Sequence, residues 1–268
     1  MTLAAIVDIA CDAGREIYRI WIEGCAADTK SDGSVVTIAD QRAEAIILAG
    51  LKRIAPDIPV IAEEQDEAGL NPEIDGKFFL VDPLDGTKGF SEGGHDDFTV
   101  NIGLINHDKP VLGVVYAPAS GKLWVGDKDG AWEAQCDVAT AKIISARVPI
   151  KISDRTGAWR LVGSKSYGGP KFKAFAAAVG AAETVAASSS LKFCRVANGE
   201  VDIYPRFGGL REWDVAAGHA VLIAAGGDVM LLNGRPIHYG RAHEGFLLDG
   251  LIAYGNAASE KAARDALD

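Results

Sequence analysis

Phe78-Phe-Leu-Val81 is an uninterrupted apolar run, and it leads straight into Asp82-Pro-Leu-Asp-Gly-Thr87. Such a run reads as a buried strand. It also places two carboxylates at the carboxyl end of an interior strand, where ligand sites of α/β architectures commonly lie. Pro83 fixes the backbone between the two acids, so they can converge with little loss of entropy. Gly86 lets the main chain approach a ligand, and the amides that follow can donate to phosphate oxygens. Thr87 adds a hydroxyl at the same place. Asp, Pro and Gly also build ordinary turns, but a turn accounts for Pro83 and Gly86 without accounting for two acids beside an apolar run.

The flanking sequence carries further elements. Residues 3–21 put Leu3, Ile6, Val7, Ala10, Ile17, Ile20 and Trp21 on one stripe at helical spacing. A second stripe, Ala43, Ile46, Ile47, Gly50, Leu51 and Ile54, stops at Pro56, and the polar stretch Asp28–Ser34 separates the two. From Phe98 the period changes. Phe98–Ile105 and Val111–Tyr116 flank Asn106–Lys109, and Lys122–Val125 and Ala131–Trp132 flank Asp127–Gly130, which predicts two hairpins. Further on, Arg160–Val162 and Val201–Tyr204 read as strands, and Lys171–Val179, Leu191–Ala197 and Trp213–Ala225 as helices. Gly199 closes the second of these helices and Gly226-Gly227 the third. The expected class is α/β (α+β), with an N-terminal α+β domain over 1–150 and a C-terminal α/β domain over 151–268.

Other acids stand in comparable places. Glu63-Glu64 follows Val60-Ile-Ala62; adjacent carboxylates repel, and a divalent cation makes the pair tolerable. A solvated acidic loop running on to Gln65-Asp66-Glu67 explains them equally well. Thr37-Ile-Ala-Asp40 opens the second helix, either as a plain N-cap with an acid in the first turn, worth about 0.3–1 kcal/mol, or with Asp40 beside the acids as a base for water. Trp213-Asp214 precedes the small-residue run Val215-Ala-Ala-Gly-His219. A ligand supplied from there would lock the second half of the chain onto the first.

The net charge of −10 argues against a nucleic-acid partner, because nothing offsets repulsion from a phosphate backbone. A small phosphorylated substrate stays compatible, since bound divalent cations reverse the local field. Cys11, Cys25, Cys136 and Cys194 are scattered without a Cys-x-x-Cys pair, which predicts free thiols rather than a zinc site or disulfide framework. No apolar stretch approaches about 18 residues and no secretory leader stands at the N-terminus. A cytoplasmic protein is expected, with peripheral attachment to the inner membrane face left open.

Taken together, Glu63-Glu64, Asp82 to Thr87 and Trp213-Asp214 resemble the inositol monophosphatase superfamily of metal-dependent, lithium-sensitive phosphatases. Within it the sequence is most similar to the 3'(2'),5'-bisphosphate nucleotidases of the CysQ type. The stretches that carry this include Asp32–Asp40, Leu80–Lys88, Phe98–Ile102, Gly113–Pro118, Ser189–Cys194, Tyr204–Phe207 and Trp213–His219. The resemblance implies a layered αβαβα sandwich. It implies two or three Mg²⁺ ions, with Mn²⁺ as a substitute, held by Glu63, Asp82, Asp85, Asp214 and the main-chain carbonyl of Leu84. Asp40 and Thr87, with Glu63, would orient and deprotonate the attacking water. The Gly86 and Thr87 amides, with Asp214, would hold the scissile phosphate, and Lys192 and Arg206, with Ser189 nearby, would meet a second phosphate and the nucleoside. Two departures stand out: the family commonly has Thr-Lys-Glu-Phe where this chain has Thr87-Lys-Gly89-Phe90, and Ser-Arg-Ser-His where it has Ser164-Lys-Ser-Tyr167.

The resulting expectation is phosphate-ester hydrolysis by a monomer or homodimer, adenosine 3',5'-bisphosphate giving AMP and phosphate. Inositol phosphate, a sugar bisphosphate and histidinol phosphate are the alternative substrates. Direct attack by water ranks above phosphorylation of Asp82 or Asp85, because a carboxylate engaged with cations is a poorer nucleophile. A non-catalytic sensor of a phosphorylated ligand is the remaining alternative.

Overall fold

The computed structural model describes residues 1–24, 27–29, 35–92, 96–164 and 169–267. Cys25, the Asp32–Ser34 part of the resembling stretch, and Ser166 and Tyr167 lie outside the described residues. The first stripe forms α1 (Leu3–Glu23), capped by the Thr2 hydroxyl, and the second forms α2 (Ile38–Ile54). Between them β1 (Ala27–Thr29) and β2 (Val35–Thr37) make a small antiparallel ribbon.

Then follow β3 (Val60–Ala62), α3 (Glu63–Glu67), β4 (Lys77–Asp85), α4 (Thr87–Ser91), β5 (Thr99–Asn106), β6 (Lys109–Ala117), β7 (Lys122–Asp127), β8 (Gly130–Asp137), β9 (Lys142–Ile143) and β10 (Val148–Ile150). Among the described residues these strands form one sheet in the order β10-β8-β7-β6-β5-β4-β3, with β9 beside β8. It is antiparallel throughout except for the parallel pair β3 and β4. Both predicted hairpins are present, turning at His107-Asp108 and Lys128-Asp129.

The second half supplies β11 (Trp159–Ser164), α5 (Pro170–Ala178), β12 (Ala181–Ala187), α6 (Leu191–Ala197), β13 (Ile203–Arg206), β14 (Leu210–Arg211), α7 (Glu212–Ala225), β15 (Asp228–Leu231), β16 (Leu247–Leu248), β17 (Leu251–Tyr254) and α8 (Ala257–Asp265). Its main sheet runs β12-β11-β13-β17-β15, and β14 pairs with β16 apart from it.

Alternation along β4 explains the layering. Phe79 and Val81 pack with Ile6, Ile17, Ile47 and Leu51 of α1 and α2, whereas Phe78 and Leu80 face a core built by α6 and α7. The far face of the second sheet packs Leu161, Ile203 and Ile252 against Phe175 of α5 and Ala263 of α8. The order is therefore helices, sheet, helices, sheet, helices, the αβαβα sandwich. Each fully buried Ile or Leu contributes about 1.5–3 kcal/mol by leaving water. α7 is buried nearly all round, as a helix between two sheets must be.

Small residues set how closely α7 lies on the first sheet. Gly103, Gly113 and Gly126 stand opposite one another across β5, β6 and β7. A Cβ at Gly103 would stand 2.8 Å from the Ala216 Cβ, one at Gly126 2.5 Å from the Val221 Cα, and one at Gly113 would collide with the Ala217 carbonyl oxygen. The bare row admits the helix backbone and brings its N-terminus, with Asp214, to the end of β4. No described helix is long and apolar enough to cross a membrane.

Candidate active site

β4 extends beyond the apolar run that announces it. Its pairing with β5 continues through Asp82 opposite Asn101 and resumes with Asp85 opposite Thr99, after an irregularity that takes up Pro83 and Leu84. The two acids thus belong to the strand instead of following it. Asp82 is 2% exposed and its Oδ1 accepts the Leu84 amide at 3.0 Å. Burial first, then the negative charges of Glu63, Asp85, Asp214 and Asp40, hold its carboxyl far above the usual carboxylate range. Acids from four separate stretches of sequence therefore surround one buried carboxylate.

The N-cap reading of the Thr37–Asp40 turn holds, and the same carboxylate also reaches Thr87. Asp40 Oδ2 accepts the Thr37 amide and hydroxyl, each at 2.7 Å, closing a capping box on α2. Its Oδ1 accepts the Thr87 hydroxyl at 2.9 Å. Asp40 is 1% exposed, and burial raises its carboxyl against the hydrogen bonds from Thr37 and Thr87. Thr87 Oγ1 also lies 2.9 Å from the Leu84 carbonyl oxygen, so its single proton has two acceptors.

Glu63 and Glu64 open the short helix α3 instead of an acidic loop. The buried Glu44 of α2 accepts the Glu64 amide at 2.8 Å, which fastens α3 to α2 and holds Glu63 at the end of β3, beside β4. Asp214 Oδ2 accepts the Arg211 amide at 2.7 Å at the start of α7. Burial first, then Asp85, pushes its carboxyl up to about 7. Burial raises Asp85 too, against the attraction of Lys192 and hydrogen bonds from Ser190.

Ser189, at φ 53, donates to the Asp85 carbonyl oxygen at 2.8 Å. Ser190 Oγ lies 3.3 Å from Asp85 Oδ2 and 3.0 Å from the Asp214 carbonyl oxygen. Sequence reasoning passed over Ser190, although the run Ser188-Ser-Ser190 before a helix was a signal. Gly86 adopts φ +99, and a Cβ there would collide with Ser189 Oγ, so the turn closes against Ser189 only as glycine.

Close to Asp85, Lys192 is 6% exposed. Burial lowers its ammonium to about 8, with Asp85 opposing and Arg206 assisting. The ammonium stands 5.3 Å over the Tyr204 ring. Arg206 Nε is buried without a hydrogen-bond partner among the described residues. A cavity of about 290 Å³ lies among Asp85, Gly86, Ser189, Lys192, Arg206 and Asp214. A second, of about 590 Å³, adjoins it at Tyr204 and Arg206 and is walled by Phe172, Pro205 and Phe207. Gly89, one of the two departures, lies on α4 and lines the first cavity.

Among the described residues no three His, Cys, Asp or Glu side chains meet closely enough to hold one ion as they stand, so a cation would have to draw the carboxylates inward. The donor set fits a hard divalent cation: its side chains are all carboxylates, without His or Cys. The repulsion around Asp82 is of the kind such a cation relieves.

The family model of the inositol monophosphatase family matches residues 2–267. The chain belongs to that family. It is 39% identical over 251 residues to the 3'(2'),5'-bisphosphate nucleotidase CysQ of Shigella flexneri, covering 92% of this chain and 97% of that protein. It is 38% identical to the CysQ nucleotidase of Escherichia coli strain K12, over the same shares. Among solved structures, CysQ from Bacteroides thetaiotaomicron, a bacterial member of the same family, superposes with a TM-score of 0.77 at 31% identity, covering 94% of this chain and 96% of that one. The family fold and the layered sandwich agree.

Proposed function

We propose that this family member is a Mg²⁺-dependent phosphomonoester hydrolase that converts adenosine 3',5'-bisphosphate to AMP and phosphate by direct attack of water. The observation that carries the substrate choice is the pair Lys192 and Arg206, two cationic side chains in the cavity that also holds Asp85 and Asp214. A monophosphate substrate needs no such second clamp. The adjoining apolar cavity beside Phe172 and Phe207 has the character that a nucleoside requires and an inositol ring does not. The names of the CysQ relatives support the same substrate class.

Glu63, Asp82, Asp85, Asp214 and the Leu84 carbonyl would hold two or three Mg²⁺ ions, with Mn²⁺ able to replace them. Bound Mg²⁺ supplies electrophilic charge at the phosphate and acidity to a coordinated water. The protein's own contribution to proton transfer is the Asp40 and Thr87 pair. A water that donates to Thr87 Oγ1 can pass a proton on as Thr87 gives its own to Asp40 Oδ1, the two being 2.9 Å apart. Burial makes Asp40 a stronger base than an exposed carboxylate. The Gly86 and Thr87 amides face the phosphate being cleaved. Lys192 is still largely cationic at neutral pH and, with Arg206, holds the phosphate that stays on the product. Ser189 keeps the Gly86 turn closed.

Phosphate release with Mg²⁺, compared between adenosine 3',5'-bisphosphate and inositol 1-phosphate, tests the proposal. The nucleotide should turn over far faster. Faster release from inositol 1-phosphate would overturn the substrate, and no release from any phosphate ester while the ligand still binds would favour a sensor.

A further inference from the structure

β5 is apolar at Val100, Ile102 and Leu104, with Phe98 just before it, but carries Thr99 and Asn101 at interleaved positions. Both are 0% exposed. The Thr99 hydroxyl and both polar atoms of the Asn101 carboxamide have no hydrogen-bond partner among the described residues. Buried polar groups in native proteins are paired with protein or with ordered water, and leaving an Asn amide unpaired costs more than an apolar side chain of the same shape would. Core packing alone therefore does not explain these two residues.

Register shows where they are aimed. Asn101 stands directly opposite Asp82, and Thr99 directly opposite Asp85. Directly opposed residues project from the same face, with Cβ atoms about 4.5–5.5 Å apart. That face is the one turned to α7, since Gly103, two residues further along, lies under Ala216 and Ala217. The orphan amide and hydroxyl thus line the floor beneath the two strand carboxylates, on the side from which Asp214 approaches.

We infer that Asn101 and Thr99 are positioning residues for the metal site. With cations held by Asp82 and Asp85, Asn101 Nδ2 would donate to the Asp82 carboxylate opposite it and the Thr99 hydroxyl would donate to the Asp85 carboxylate opposite it. The inference rests on the metal-dependent reading above and extends it to two side chains that ligate nothing themselves. Partners behind the ligands fix ligand orientation, and their loss commonly weakens metal affinity by about 10–100-fold.

The test uses the full chain, stripped of metal and titrated with Mn²⁺, with unbound Mn²⁺ read by electron paramagnetic resonance. Asn101→Leu and Thr99→Val keep side-chain shape and remove the polar atoms. Each should weaken Mn²⁺ binding by about tenfold or more, while the metal-free melting temperature stays level or rises. A purely structural role predicts a lowered melting temperature with wild-type Mn²⁺ affinity, and wild-type Mn²⁺ affinity in both variants, whatever the melting temperature, overturns the inference. Thr99→Val, the smaller change, decides the matter if Asn101→Leu does not fold. A wild-type chain that takes up no Mn²⁺ overturns the metal reading itself, which separates the two failures.

Discussion

The Thr87 hydroxyl has one proton and two acceptors, Asp40 Oδ1 and the Leu84 carbonyl oxygen, both at 2.9 Å, and the proposed proton path runs through the first of them. Asp40→Asn keeps an acceptor for the α2 cap but removes the base. Turnover should fall by about 10²–10⁴-fold with little loss of helix, as followed by steady-state phosphate release and circular dichroism; undiminished turnover would exclude Asp40 from the proton path. Asp82→Asn removes a carboxylate that four other acids repel. The metal-free variant should melt at the same temperature as the wild type or higher, yet lose activity. Mg²⁺ at about 100 times its dissociation constant should stabilise the wild type by about 2.7 kcal/mol, and should leave the variant nearly unmoved in a thermal-shift assay. The motif acids were legible in sequence because two carboxylates beside an apolar run have few other uses. Asn101 and Ser190 were not, because their meaning depends on which residue stands opposite them, and only register and tertiary packing reveal that.

Gly103, Gly113 and Gly126 let α7 rest its backbone on β5 to β7, and through this contact Asp214 reaches the acids of β4. Gly113→Ala should lift the helix. Overpacking of this kind costs about 1–3 kcal/mol, to be read from urea unfolding, and Mg²⁺-dependent turnover should fall although no proposed ligand is altered. A variant with wild-type stability would show that the close approach does not hold the helix in place. In sequence, α1, α2, both hairpins and α7 announced themselves through period, caps and glycine stops. β12 did not: it is an edge strand of mostly exposed, Ala-rich sequence, with no alternation to read. The strand expected at Val201–Tyr204 begins at Ile203, and the preceding Asp202 carboxylate binds Arg160 of the neighbouring β11.

Part of the chain's acid stability should depend on that last contact, beside the other carboxyls held low at Glu16, Asp108, Asp137 and Asp228. Burial alone would raise the Asp202 carboxyl, but the Arg160 guanidinium and backbone amide outweigh it and hold the group below its ordinary value. A carboxyl depressed in the folded state adds stability above its unfolded pKa of about 4 and loses it as pH falls through the lower folded value. Arg160→Met should therefore cost about 1–3 kcal/mol at pH 7 and flatten the decline of melting temperature below about pH 4. A decline as steep as that of the wild type would assign acid sensitivity to other groups.

In the proposed site, carboxylates brought from β4, α3 and α7 share divalent cations at one point. The most direct measurement is the anomalous scattering of Mn²⁺ in crystals of the protein. Peaks are expected within ligating distance of Glu63, Asp82, Asp85 and Asp214. Peaks elsewhere, or Asp214 left remote from a metal bound at Asp82 and Asp85, would contradict the proposed site.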